Sequence, residues 1–311
     1  MSLIQLTERV HVWRGMVNMA LLIGTEKRLV LIDSGLDASH ARKALRPFLE
    51  QGYQLHAIIN THSHADHIGG NAELVRRTGC QVWAPALEAA FIRFPQLEPI
   101  GLYGGVVPPS TLQVKFLQAE PTPVVHELPD RRGLFELAGV PMELIPTPGH
   151  ALAQVAVSVD GVLVAADALF MPDQIERHPI LYLVDVAAYL ATLTSLQSRP
   201  ERLILPGHGD LIDRTEQDSL PEVLAANRAA VDRLQSLIDE ALQEGALTAE
   251  HLMARLYARL GKEQKGEAQY HLDRAAIQAH LRYAGAQGRV AIQFSDGLRL
   301  ITNQLQGVDK A

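Results

Sequence analysis

The sequence of 311 residues lacks several features that would place it in a specialised class of protein. It contains one cysteine, Cys80, so an intrachain disulfide is excluded, and we expect this residue to be a small buried core side chain in a reducing compartment. The apolar run at 16–24 is far shorter than the roughly 20 residues that a membrane-spanning helix needs. The N-terminus shows no cationic start followed by a long apolar stretch. These absences predict a cytoplasmic protein without a membrane partner.

An excess of positive charge is also missing. The chain carries 28 Lys and Arg against 35 Asp and Glu, which gives a net charge of −7 at pH 7. This balance argues against a surface that coats nucleic acid in general, although a local basic patch is compatible with it. With 47% hydrophobic residues, the chain has ample material for a core, and its length suits two domains or one large domain with an appendage.

A dense group of metal-ligand side chains occupies residues 60–70. His62, His64, Asp66 and His67 lie within six positions, directly after a short apolar run. Imidazole nitrogens and a carboxylate oxygen are ligands for borderline divalent metals, and four so close together can serve two adjacent ions but hardly one alone. A solvated histidine-rich loop is the alternative interpretation, which the position between a strand and two glycines disfavours.

The pattern His62-x-His64-x-Asp66-His67 resembles the signature of the metallo-β-lactamase-fold hydrolase superfamily. Later motifs supply candidates for the remaining family ligands: His150 in the segment TPGH, Asp167 in AAD and His208 in PGHG. The similarity covers roughly residues 8 to 215. It implies an α/β protein with the four-layer αβ/βα sandwich of that fold, and it says little about the substrate.

The resemblance also implies a dinuclear metal site. One ion would be bound by His62, His64 and His150, a second by Asp66, His67 and His208, and Asp167 would bridge the two. Zn²⁺ is the favoured metal, while Fe²⁺ and Mn²⁺ suit the same ligands. Two such ions can share a water and lower its pKa from about 15.7 toward roughly 7, so that a metal-bridging hydroxide attacks the substrate. Asp66 would have a catalytic role as well, by orienting that hydroxide.

The order of predicted elements agrees with this fold. Three β-type runs at 10–13, 19–23 and 29–32 predict an antiparallel meander, a helix follows over 38–51, and a strand at 57–59 delivers the histidine cluster on its C-terminal loop. A second group of strands is predicted at 134–137, 142–145, 155–159 and 162–165. A covering helix is predicted over 185–198.

Three residues near these motifs have open roles. Asp33 follows a predicted strand directly, so it either orients a metal-bound histidine or simply forms a turn. His178 and Tyr182 lie in the loop before the helix at 185–198. They either contact the substrate or have an ordinary loop role, and their spacing favours the second interpretation.

Residues 88–123 interrupt the alternation of strands and helices. This segment is rich in proline, glycine and aromatic residues and has no clear period. Long insertions of this kind are often lids or binding loops, and the many apolar side chains argue against disorder. We expect a lid or a homodimer contact, with an ordinary surface excursion as the alternative.

The chain is predicted to divide into a metal-binding domain at 1–217 and a C-terminal module at 218–311. Helical patterns over 221–244, 248–260 and 267–283 precede a β-hairpin, an arrangement that resembles a winged-helix module. Residues 219–311 contain eleven Lys and Arg and eleven Asp and Glu, so they create no net positive field for a nucleic acid. A packing or dimerisation module that walls the active site is therefore favoured.

The residues favour one function over two alternatives. The leading hypothesis is hydrolysis of a small ester, thioester or lactone. A phosphodiesterase or endoribonuclease is the alternative, because the same hydroxide can attack phosphorus, and the charge balance disfavours it. An iron-dependent oxidoreductase of the same fold is third, since the chain contains no flavodoxin-like stretch and its first motif suits hydrolysis better.

Overall fold

The computed structural model describes residues 2–123 and 125–304, and its first sheet is built from seven strands in chain order. These strands are β1 (Ser2–Gln5), β2 (Val10–Arg14), β3 (Met19–Ile23), β4 (Arg28–Ile32), β5 (Gln54–Ile59), β6 (Gln81–Pro85) and β7 (His126–Leu128). Strands β2 to β4 pair antiparallel, as the predicted meander requires, and β1, which was not predicted, pairs antiparallel with β2. Strands β4 to β7 pair parallel.

The second sheet has six strands in the order β13-β12-β11-β10-β9-β8. They are β8 (Gly133–Leu137), β9 (Val140–Pro146), β10 (Val155–Val159), β11 (Val162–Ala166), β12 (Leu203–Pro206) and β13 (Ile212–Asp213). Only β11 and β12 pair parallel, and the segment of two helices that joins them provides the crossover that a parallel pair requires.

Ten helices and a separate hairpin complete the described part of the chain. The first five helices are α1 (Ala38–Leu49), α2 (Ala65–Ile68), α3 (Asn71–Thr78), α4 (Ala86–Arg93) and α5 (Leu97–Leu102). The others are α6 (Pro172–Arg177), α7 (Val186–Gln197), α8 (Leu220–Gln243), α9 (Ala249–Leu260) and α10 (Glu267–Ala286). Strands β14 (Val290–Ser295) and β15 (Leu298–Asn303) form the hairpin, and short 3₁₀ turns occupy Thr25–Lys27 and Ser110–Leu112.

The two sheets pack face to face, with helices on both outer surfaces. In β4, Val30 and Ile32 point into the core between the sheets, whereas Leu29 and Leu31 point to the core under α1. Side chains alternate between the faces of a strand, so a strand buried on both faces is apolar at every position. The predicted αβ/βα sandwich is confirmed.

Helix α1 shows how local sequence supports this layering. Asp37 caps its first turn by accepting a hydrogen bond from the backbone N–H of Ser39 at 2.9 Å. Ala41, Leu45 and Phe48 recur at helical intervals and are buried against the first sheet. The capping residue and the apolar face together explain why this segment forms a helix and packs on the sheet.

The segment 88–123 differs from its prediction, because it holds regular structure. Helix α4 runs into it, α5 lies within it, and a 3₁₀ turn follows. Pro99 sits in the first turn of α5, where a missing N–H costs no intrahelical hydrogen bond, so the proline that concealed this helix is compatible with it. Leu102 and Leu117 pack against Leu272 of α10. The segment is thus anchored on the C-terminal helices.

The C-terminal residues form three helices and a hairpin at the positions where the sequence predicted them. Helices α8, α9 and α10 and the hairpin share one apolar cluster, which includes Ile238, Leu256, Ile277 and Ile301. The division at residue 218 and the winged-helix resemblance remain predictions. Within residues 2–123 and 125–304, no helix combines the length and the apolar character needed to cross a membrane.

Candidate metal centre

The predicted ligands all follow the C-terminal ends of strands that meet at one edge of the sandwich. Four strands contribute: β5, β9, β11 and β12. The side chains that they deliver are His62, His64, Asp66 and His67 after β5, His150 after β9, Asp167 after β11 and His208 after β12. Functional side chains commonly occupy this edge of an α/β sheet.

The structure brings all seven side chains into one cluster. Three groups each offer one ligand atom per residue within 4.8 Å of one another: His62 with His64 and His150, His62 with His67 and Asp167, and Asp66 with His67 and His208. The first and third groups are the two triplets that the sequence resemblance implied. Asp167 also lies between them, with its carboxylate 3.4 Å from His67 Nε2 and 3.6 Å from His208 Nε2.

Several buried atoms of the cluster have no hydrogen-bond partner in the described chain. His62 Nε2, His67 Nε2 and Asp167 Oδ1 are buried without a hydrogen bond. Unpaired buried polar atoms are costly and rare. His64 Nδ1 and His150 Nε2 face each other at 2.8 Å, which requires a proton or a cation between two lone pairs. A set of imidazole nitrogens and carboxylate oxygens suits divalent transition metals, so the residues fit the metal that the fold implies.

The charge states of these groups also favour a cation. Burial lowers the pKa of His62 well below its ordinary value, and the neighbouring histidines lower it further. Burial likewise lowers the pKa of His150 to about 4, with a contribution from His64. Burial opposes ionisation of Asp167, but His208 and His67 hold its pKa well below the usual range. Burial opposes protonation of His67 and His208, but Asp167 raises the pKa of His67 well above its ordinary value and that of His208 to about 10. The cluster therefore combines neutral imidazoles, at His62 and His150, with positions beside the Asp167 carboxylate that favour a positive charge.

A buried carboxylate behind the cluster orients two of the histidines. Asp33 Oδ2 accepts a hydrogen bond from His67 Nδ1 at 2.8 Å and another from the Thr61 hydroxyl at 2.8 Å. The same hydroxyl lies 3.0 Å from His62 Nδ1. Asp33 also sits at φ 59°, in the left-handed region typical of a turn. Both roles that the sequence left open for Asp33 are therefore present in one residue.

Backbone carbonyls orient the two later histidines. His150 Nδ1 donates to the carbonyl of Tyr182 at 2.8 Å, and His208 Nδ1 donates to the carbonyl of Met16 at 2.7 Å. Each of these bonds fixes the ring so that Nε2 faces the cluster, which is the usual arrangement around metal-binding histidines. The sequence carried no signal for these partners, because a carbonyl acceptor can belong to any residue.

Two glycines allow the loops to approach closely. A Cβ on Gly207 would stand 1.9 Å from Asp167 Oδ1, and one on Gly149 would stand 2.4 Å from the backbone of Tyr189. Gly149 also has φ +133°, a conformation that side chains rarely permit. Any side chain at the residue before His150 or before His208 would therefore clash, which explains the glycine at both positions.

Two cavities open from the cluster. The apolar cavity, of about 640 Å³, is lined by Asp66, His150 and Asp167 together with apolar groups such as Phe116. The arginine cavity, of about 920 Å³, extends along the opposite side toward Arg282. Both cavities are lined by His64, Glu98 and Tyr182, so these three residues mark the junction.

Glu98 and Tyr182 were not predicted as a pair. The Tyr182 hydroxyl donates to Glu98 Oε1 at 3.4 Å, and its ring lies 5.4 Å from that of His64 between centroids. Burial raises the pKa of Glu98 to about 7, with a contribution from Glu88. Neither cavity is lined by His178. Tyr182 thus stands beside the candidate metal centre although the sequence favoured an ordinary loop role.

Comparison with known proteins agrees with this architecture. The sequence profile of the Metallo-beta-lactamase superfamily matches residues 12–208, which include all seven clustered side chains. The chain belongs to this superfamily. Its homologues are hydrolases, and the superfamily typically binds divalent metals.

Curated relatives match different lengths of the chain. A hydroxyacylglutathione hydrolase from Rhizobium meliloti is 30% identical over 145 residues, which is 46% of this chain and 45% of the relative. The chain thus spans about half the length of this relative. An atrochrysone carboxyl ACP thioesterase from Aspergillus fumigatus is 22% identical over 249 residues, covering 77% of this chain and 68% of the relative.

Solved structures show the same fold over nearly the whole chain. A beta-lactamase domain protein from Burkholderia ambifaria superimposes with a TM-score of 0.75 at 18% identity, covering 97% of this chain and 94% of that one. A metallo-beta-lactamase family protein from Thermus thermophilus gives a TM-score of 0.67 at 24% identity, with 97% and 98% covered. The similarity therefore includes the C-terminal helices.

Proposed function

We propose that this protein is a dinuclear metal-dependent hydrolase that cleaves thioesters. The observation that carries the proposal is the convergence of seven buried or half-buried ligand side chains at the junction of two cavities. Support for the thioester comes from the relatives, because an acyl group on glutathione or on an acyl carrier protein is bound through sulfur. Oxygen esters and lactones present the same carbonyl and belong to the same class of reaction.

The division of ligands follows the two geometric triplets. His62, His64 and His150 would hold one ion, and Asp66, His67 and His208 would hold the other, with Asp167 shared between them. Two divalent ions, when bound there, would supply a hydroxide nucleophile at neutral pH and would polarise the substrate carbonyl. Zn²⁺ is the metal that we propose, with Fe²⁺ and Mn²⁺ as the alternatives that suit the same ligands.

The remaining roles belong to side chains of the chain itself. Asp66 is a quarter exposed and faces the apolar cavity, so its carboxylate can accept a hydrogen bond from the nucleophile and fix its direction. The Tyr182 hydroxyl, at the junction, can donate to an oxygen of the substrate when it leaves Glu98. Leu117 and the other apolar side chains of the apolar cavity give the substrate a nonpolar surface on one side of the site.

Cleavage of RNA is the competing function to test. The same ligands serve phosphoryl chemistry, but the chain has a net charge of −7 and a C-terminal segment with balanced charges. Binding to a polyanion depends mainly on positive charge at the surface. The ligand set does not distinguish attack at phosphorus from attack at a carbonyl carbon. Assays with both kinds of substrate are therefore needed.

The test is a substrate panel with metal-reconstituted protein. Release of thiol from S-acylglutathione and from S-acyl-pantetheine is recorded beside hydrolysis of an oxygen ester, a lactone and labelled single-stranded RNA. Protein with Asp66→Asn, purified identically, exposes any contaminating enzyme. We expect wild-type protein to release thiol and the variant to lose most of this activity. Cleavage of RNA by the wild type alone, with every thioester intact, would overturn the proposal.

A further inference from the structure

Helix α10 forms a continuous wall along both cavities. Leu272 lines the apolar cavity, whereas Arg274, Gln278 and Arg282 line the arginine cavity. The last three residues are spaced by four, so they lie on one face of the helix. Leu272 and Arg282 are ten residues apart, which corresponds to about 15 Å along the helix axis. A substrate centred at the junction can therefore extend along α10 in two directions.

The apolar cavity suits an uncharged organic group. Val114, Phe116, Leu117 and Leu272 supply its apolar lining. The side chain of Phe116 is 65% exposed, so its ring is accessible from the cavity and from solvent. The acyl group of a thioester has the chemistry to cover these side chains.

The arginine cavity has a different character, because three arginines line it. Arg282 of α10 marks its outer end, away from Leu272, whereas Arg274 lies about 12 Å nearer to Leu272 along the helix axis. Arg299 from β15 completes the set, and Glu250 is the one carboxylate that the described C-terminal residues add to the lining. Acidic side chains otherwise occur at the inner end, where Glu88 and Glu98 lie near His64. The arginines of the lining therefore all come from α10 and β15.

The existing interactions of these guanidinium groups are few and weak, so the groups are available to bind an anion. Arg274 donates one hydrogen bond to the Leu102 carbonyl at 3.2 Å, and Arg282 pairs with Asp185 at 3.1 Å in an exposed position. Exposed pairs of this kind are worth little, so a stronger anion can replace them. The side chain of Arg299 makes no hydrogen bond or ion pair to any residue of 2–123 or 125–304. Glu88 at the inner end is occupied, since it accepts from the Ser63 and Ala153 backbone N–H groups at 3.0 and 2.8 Å.

We infer that the arginine cavity binds the phosphate-bearing arm of a thioester substrate, while the apolar cavity binds its acyl group. The guanidinium groups of Arg282 and Arg299 match a phosphate, whose oxygens accept paired N–H donors. The scissile carbonyl would then lie at His64, between the two halves. This inference rests on the proposed thioester hydrolysis for its reaction, but not for its binding site.

A phosphorylated pantetheine arm has the required chemistry. It joins a thiol to a phosphate through a long, uncharged amide chain, so the phosphate can reach the outer end when the sulfur is at the junction. Such an arm occurs free, in coenzyme A, and attached to carrier proteins. The two sources share the chemistry that Arg282 and Arg299 would recognise.

The experiment compares two arms that differ only in the phosphate. Binding of 4′-phosphopantetheine and of pantetheine to the metal-loaded full chain is measured by calorimetry, and the thiol that both ligands carry cancels in the comparison. We expect the phosphorylated ligand to bind at least about tenfold more tightly, as one or two charge-assisted hydrogen bonds would give. In Arg282→Gln/Arg299→Gln protein this ratio should fall to near one.

Controls separate local loss of charge from loss of structure. Arg77→Gln removes an exposed arginine of α3 outside the cavity and should keep the wild-type ratio. Because Arg282 contacts the capping residue of α7, the single variant Arg299→Gln is measured as well, and it should lower the ratio at least threefold. Circular dichroism verifies that each variant is folded.

Turnover distinguishes failure of the binding site from failure of the proposed reaction. Hexanoyl thioesters of the same two arms are compared, and wild-type kcat/KM should be at least about tenfold higher for the phosphorylated arm, through KM. Equal binding of the two arms by the wild type, or an unchanged ratio in folded Arg282→Gln/Arg299→Gln protein, would overturn the inference. Selective binding without hydrolysis of either thioester would instead overturn the proposed function. Hexanoyl-coenzyme A and a hexanoyl carrier protein then distinguish the two sources.

Discussion

The carboxylate of Asp33 lies 2.8 Å from Nδ1 of His67, and both side chains are buried. The same carboxylate also accepts hydrogen bonds from the backbone N–H and the hydroxyl of Thr61, at 2.9 and 2.8 Å. Because Thr61 in turn contacts His62, one residue at the end of β4 orients a histidine of each predicted metal triplet. Asp33 is thus a positioning residue that touches no substrate.

Substitution of Asp33 by Asn should weaken metal binding without creating a cavity in the core. In Asp33→Asn the amide keeps the shape of the side chain but loses the negative charge that holds the His67 ring. Partners of this kind typically contribute 10–100-fold to metal affinity, and we expect a loss of that size. Competition with a chelating dye measures it. Asp160→Asn, at an exposed hairpin turn, should match the wild type, and equal affinity in Asp33→Asn would contradict the role.

Substitution of Gly207 should disrupt the site by steric contact alone. A Cβ at this position would stand 1.9 Å from Asp167 Oδ1, so Gly207→Ala must displace the carboxylate or the loop that carries His208. We expect at least about a tenfold loss of metal affinity, in line with the loss of a well-placed ligand partner. Gly133→Ala is the matched control, because an added Cβ there meets nothing within 4 Å. Metal content after dialysis distinguishes the two variants.

The stability of the C-terminal helices should depend on pH through His280. This side chain is buried and accepts a hydrogen bond from Gln235 Nε2 at 2.8 Å, and burial, aided by Arg289, lowers its pKa from 6.5 to about 4. Below pH 6.5 the imidazole of His280 is protonated in the unfolded chain but stays neutral in the folded chain. The contribution of His280 is therefore complete above pH 6.5 and is lost as the pH falls toward 4, by about 2 kcal/mol between pH 7 and 5.

Urea unfolding at the two pH values checks this expectation. His280→Gln removes the titrating group, so the free energy of unfolding should change less between pH 7 and 5 than in the wild type, by about 2 kcal/mol. The exposed His251→Gln should retain the wild-type difference. An identical pH dependence in wild type and His280→Gln would show that the imidazole does not stay neutral on folding.

Much of the fold and of the cluster was predictable because both depend on local patterns. The strands alternate or run apolar at the expected lengths, and the seven candidate ligands stand in short motifs directly after strand ends. Parallel strands bring such ends to one edge, so the cluster follows once the sheets form. Cys80 is buried under the first sheet, as a lone cysteine suggested.

Other parts depended on contacts that no local pattern records. Helix α5 was missed because Pro99 reads as a helix breaker unless its place in the first turn is known. Glu98 meets Tyr182 only because the insertion packs on α10, far along the chain. The roles of Met16 and Tyr182 toward the histidines use backbone carbonyls, which every residue has. The apolar cavity and the arginine cavity likewise form between segments that are far apart in the chain, so no local pattern predicted them.

Asp167 lies between the two predicted metal positions, so both ions would depend on its carboxylate. The most direct measurement titrates metal-free wild-type and Asp167→Ala protein with Zn²⁺, and records bound metal and thiol release from one thioester. The wild-type rate should rise until two ions are bound per chain. Asp167→Ala should bind fewer ions and lose at least about 100-fold in kcat/KM, since the anion between two cations is gone. Two tightly bound ions and full turnover in Asp167→Ala would contradict the account.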